Sequence, residues 1–126
     1  MGGHTAGSCG FLDKTTKSLF TGDDLLSMRV GIGSADLGAP YSQYRTVGTM
    51  RAAFERLSDR KAEFTHVYPR HFATDLENTT VDAVLAACNA ICADPIGNAS
   101  YCAESPMGKQ LLRYVEGLGT IAYVNN

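Results

Sequence analysis

The chain has 126 residues, 44% of them hydrophobic and 19% charged, with a formal net charge of -2. That length and balance describe one globular domain around a single core and exclude a disordered chain, which carries fewer apolar residues and more net charge. A net negative chain lacks the cationic surplus that phosphate binding needs, so nucleic acid is not expected as a partner, and no apolar run approaches the ~18 residues of a membrane span.

Residues 1–10 are rich in glycine and lack apolar periodicity, which predicts a flexible arm ahead of a domain spanning 11–126. The arm has neither the basic nor the apolar block of a signal peptide. With a start at Met1, the expectation is a soluble intracellular product, of cytoplasm or plastid stroma, unless a presequence has been removed. From Phe11 to Phe20 the chain can form a short helix or simply pack Phe11, Leu12, Leu19 and Phe20 onto the core. Apolar residues then alternate at Leu26, Met28, Val30 and Ile32, predicting a half-buried strand, and GIGSADLGAP reads as a loop.

Ser42 can cap an amphipathic helix with Tyr44, Val47, Met50, Phe54 and Leu57 inward and Arg45, Arg51, Glu55, Arg56, Asp59 and Arg60 outward. A second strand follows over AEFTHVYP, with Phe64, His66 and Tyr68 on one face and Thr65 and Val67 on the other, ended by Pro69. Thr79 or Thr80 can cap a second long helix whose stripe is Val81, Val84, Leu85, Cys88, Ile91 and Cys92, stopped by Asp94-Pro95. Ser105-Pro106 reads as the start of a third helix to about Glu116, presenting Met107, Leu111, Tyr114, Val115 and Leu118, before a short last strand from Thr120 to Val124. The sum is an α+β fold: a small three-stranded sheet packed against about three helices, with the glycine-rich arm outside it.

Three of the four cysteines lie in CNAICADPIGNASYC, and Cys88 and Cys92 sit one helical turn apart on one face. Together with Cys102 they could bind a cofactor or a soft metal, or form a redox pair; the spacing matches no strong metal signature, and burial as small apolar groups is the favoured reading. A Cys92–Cys102 disulfide closing the loop is a further alternative, and Cys9 in the arm is an exposed thiol or attachment point. His66 and His71 flank VYPR, but nothing in the sequence brings them together with a nucleophile or a metal ligand. The Gly31-x-Gly33 loop departs from a dinucleotide fingerprint, because Asp36 stands where the third glycine would be. No catalytic constellation is present, so catalysis is not expected.

The stretch Pro40 to Pro69, with Pro40, Tyr41, Ser42, Met50, Arg51 and Pro69 at matching places, resembles the small capping domain of phycobilisome rod linkers. Two features depart from that pattern: a longer helix, and Asp59-Arg60-Lys61-Ala62 where the family has Gly-Gly. The resemblance implies a linker that plugs a ring of light-harvesting subunits, and a looser comparison with linker-like gamma chains implies a bilin held covalently by cysteine. On this reading the protein is a non-catalytic structural subunit of a multiprotein assembly, contacting partner proteins through Cys9 in the arm and Arg45, Arg51, Arg56 and Arg60 on the first helix. The alternative is a small cofactor- or metal-binding domain using Cys88, Cys92 and Cys102.

Overall fold

A computed structural model describes residues 7–25, 29–31, 46–70, 75–105 and 108–123. Ser42, Tyr44, Arg45, His4, His71, the loop beyond Gly31, Pro106 and Met107 lie outside them. The first folded unit is a hairpin, β1 (Phe11–Asp13) and β2 (Ser18–Gly22), joined by a turn that Asp13 organises. Asp13 Oδ1 accepts the Thr15 amide at 2.9 Å and Oδ2 accepts the Thr16 hydroxyl at 2.8 Å, while Lys17 takes a left-handed φ of 53°. These local bonds favour a turn at the point where the sequence allowed a short helix. Alternation then sends Leu12 and Leu19 inward and leaves Phe11 and Phe20 exposed, correcting the expectation that all four pack on the core.

After β3 (Arg29–Gly31) comes α1 (Val47–Asp59). Thr46 caps it, its hydroxyl accepting the Thr49 amide at 3.1 Å, and Val47, Met50, Ala53 and Phe54 are buried. A 3-10 turn, Lys61–Glu63, leads to β4 (His66–Pro69), in which Val67 is buried while His66 and Tyr68 share the opposite face, as the alternation in the sequence has it. Phe64 is buried, but it belongs to the turn before the strand and not to its alternation.

β5 (Leu76–Glu77) precedes α2 (Thr79–Ala93), which ends at Asp94 as expected but already includes Thr79 and Thr80, so neither of them is its cap. Asn78 stands at the cap position without capping; its amide instead donates to Phe64 O at 2.9 Å and Lys61 O at 3.3 Å, tying α2 to the turn after α1. Asp82 strengthens this tie by accepting the Ser58 hydroxyl at 2.9 Å and pairing with Lys61. The predicted third helix is instead a strand: β6 (Tyr101–Ser105) and β7 (Gly108–Val115) form a hairpin, and β8 (Gly119–Tyr123) adds to it. The turn between β7 and β8 places Gly117 at φ 70°, a conformation that glycine adopts without strain.

Two four-stranded sheets result, in the orders β1-β2-β4-β5 and β3-β8-β7-β6. The fold is therefore α+β, with two helices and two sheets among the described residues in place of the three helices and one sheet expected. One core joins Leu19 and Val67 of the first sheet, Val115, Ile121 and Tyr123 of the second, and the facing sides of both helices.

Candidate functional site

The outer face of the first sheet holds the least expected surface of the molecule. Registers Phe11↔Phe20 and Phe20↔Tyr68 put three aromatic residues in one row across β1, β2 and β4. Phe20 and Tyr68 stack with centroids 5.2 Å apart, and His66 lies 6.1 Å from Tyr68 at 14°. Phe11 is 69% exposed and Phe20 45%, so water covers much of the row. The neighbouring row is polar: Asp13, Ser18, His66 and Glu77 face one another in sequence, and His66 Nδ1 is 3.0 Å from Asp75 Oδ1. Chemically this is a flat apolar strip bordered by carboxylates, suited to receiving side chains and offering no nucleophile. The signal for it was present in the sequence, since Phe-Leu-Asp and Ser-Leu-Phe around a Thr-Thr turn have the alternation of a hairpin.

The second sheet also carries an exposed aromatic pair. Tyr101 and Tyr114 have centroids 5.4 Å apart; Tyr101 is directly across from Leu112, and Tyr114 lies two residues further along the same strand face. Leu112 between them is buried, as is its other cross-strand neighbour Ala122, and neither belongs to the main core. These tyrosines thus shield an apolar layer of their own sheet.

The predicted site residues are scattered. Cys88 is fully buried in the α2 stripe; burial pushes its thiol up to about 12, Cys92 adds to the rise and the Arg51 guanidinium opposes it, so Cys88 stays a protonated packing group. Cys92, one turn on, is half-buried, while Cys9 and Cys102 are exposed; all four are free thiols. Cys102 lies near Tyr123, whose hydroxyl donates to Pro95 O and whose pKa burial raises, with Arg113 opposing and Cys102 and Asp94 adding. Among the described residues no group of three or more His, Cys, Asp or Glu is placed to hold a metal ion, and no helix is long and apolar enough to cross a membrane.

Of the arginines, Arg51 lies 3.8 Å from Glu55, Arg60 clasps Glu63 through Nε at 2.8 Å and Nη2 at 3.1 Å, and Arg56 is exposed. In the arm, Gly7 and Cys9 are exposed and Ser8 and Gly10 half-buried. No family model, curated protein or solved structure matches the chain.

Proposed function

We propose that this protein is a non-catalytic subunit of a multiprotein assembly, docking through the aromatic strip of its first sheet, with the arm and the arginine flank of α1 as separate further contacts. The exposed row Phe11, Phe20 and Tyr68 carries this reading, because aromatic side chains left in water on a flat face are the usual anchors of protein interfaces. Its border of Asp13, Asp75 and Glu77 supports a protein partner over a nucleic acid, whose phosphates those carboxylates would repel. Within this class, the resemblance over residues 40–69 supports a light-harvesting phycobilisome as the assembly.

The test is the mass and visible spectrum of the native species, isolated gently from the cells that make it. A complex larger than one chain is expected, and a double Phe11→Ser, Phe20→Ser variant with an unchanged circular dichroism spectrum should run as a monomer. Bilin absorbance in that complex supports the light-harvesting assignment, and a colourless complex removes it. A native monomer, or a double variant that stays assembled, overturns the docking reading.

A further inference from the structure

A recess of about 230 Å³ opens between the β1–β2 hairpin and the C-terminal half of α1. Its floor is core material: Leu19, Ala53 and Phe64 are buried, and half-buried Leu12 and Leu57 form the walls. The rim is cationic. Arg56 lines it with no side-chain hydrogen bond or ion pair among the described residues. Arg60 gives Nε and Nη2 to Glu63 and keeps Nη1, and Lys14 reaches Glu63 at 3.4 Å from the hairpin turn. Two arginines and no carboxylate line the recess, on a chain whose formal charge is -2.

The negative end of the α1 dipole accounts for a guanidinium in the last turn, but it does not require one poised over an apolar hollow. An apolar floor beneath an unpaired guanidinium is complementary to an amphipathic anion, since the body gains burial and the head gains charge-assisted hydrogen bonds at the edge of a partly water-free space. We infer that the recess binds a small amphipathic carboxylate, its hydrocarbon body against Leu12, Leu19, Leu57 and Phe64 and its head on Arg56 and the free Nη1 of Arg60. The volume lies below the ~300–1,000 Å³ of sites for drug-sized ligands, which selects a medium-length chain or a single-ring acid. This site does not depend on the docking strip: Leu12 and Leu19 face the helix side of the hairpin, and Phe11 and Phe20 face away from it.

The experiment is calorimetric titration of the whole chain with octanoate, with octanol as the uncharged probe of similar length. One saturable site is expected, with octanol at least about tenfold weaker and Arg56→Gln lowering octanoate affinity by a similar factor, as loss of a charge-assisted bond implies. Octanoate should also raise the thermal midpoint of the natural chain more than that of the variant. Ala53→Leu fills the floor and should abolish binding; should that variant fail to fold, Arg56→Gln, at an exposed position, still decides. No saturable heat up to millimolar octanoate, equal affinity for octanol, or undiminished binding by Arg56→Gln overturns the inference.

Discussion

The two sheets show what exposed aromatic residues do when they have something to cover and when they do not. In the second sheet Tyr101 and Tyr114 are 43% and 62% exposed, yet Leu112 between them is only 6% exposed, so the pair works as a lid on its own strands. In the first sheet Phe11, Phe20 and Tyr68 sit on a face whose next row is Asp13, Ser18, His66 and Glu77, and among the described residues of that row none is apolar. Solvent exposure alone does not mark a docking surface; the proposed docking reading rests on exposure without an intramolecular task among the described residues.

Substitutions in the two sheets should therefore differ in their effect on stability. Leu112→Ala should cost about 2–4 kcal/mol, read from the urea midpoint, because it empties a buried layer. A Tyr101→Ser, Tyr114→Ser double variant should lose about 1–2 kcal/mol as that layer becomes wet. In the first sheet, Lys17→Gly should gain about 0.5–1 kcal/mol by relieving the left-handed backbone at the hairpin turn, the looser unfolded chain taking back part of the relief. Phe11→Ser with Phe20→Ser should stay within about 0.5 kcal/mol of the natural chain while abolishing assembly; a loss above about 2 kcal/mol would mean that these rings, too, are structural.

Acid sharpens the same contrast. The Arg60 side chain holds the Glu63 carboxyl down to about 2, Thr16 holds Asp13 below the usual carboxylate range, and Lys61 does the same for Asp82. Each folded carboxyl is more acidic than its unfolded form, so its stabilising contribution is complete above about pH 4.5 and fades as pH falls, for Glu63 until about pH 2. Amide exchange in the β1–β2 hairpin, which Lys14 ties to Glu63, should therefore speed up in acid before exchange in β7 and β8 does, and Arg60→Gln should flatten that difference. Uniform loosening of both sheets would contradict this account.

Sequence periodicity was enough where elements are long or sharply ended. The facing of α1 and α2, the stop at Asp94-Pro95 and the start of β8 follow from spacing that repeats over several turns or from a residue that cannot continue the element. It misled where a short run fits two periods. Leu111, Val115 and Leu118 are spaced as a helix would space them, but β7 has partners on both sides in β6 and β8, and such pairing is decided by residues far along the chain. The aromatic strip was missed for a related reason: Phe11 and Phe20 look like core until Phe11–Asp13 is known to be an extended strand, whose alternation turns Leu12 inward and Phe11 out.

The pairing of β3 has a consequence for how the molecule comes into being. Arg29 meets Thr120 and Gly31 meets Ala122, so β3 finds its hydrogen-bonding partner about ninety residues later in the chain. On a ribosome that delivers residues in order, the hairpin and both helices can gather while β3 still waits, and the second sheet closes only when β8 emerges. A chain halted before Gly119 would present two unpaired strand edges, β3 and β7, an invitation to association that the finished protein withdraws.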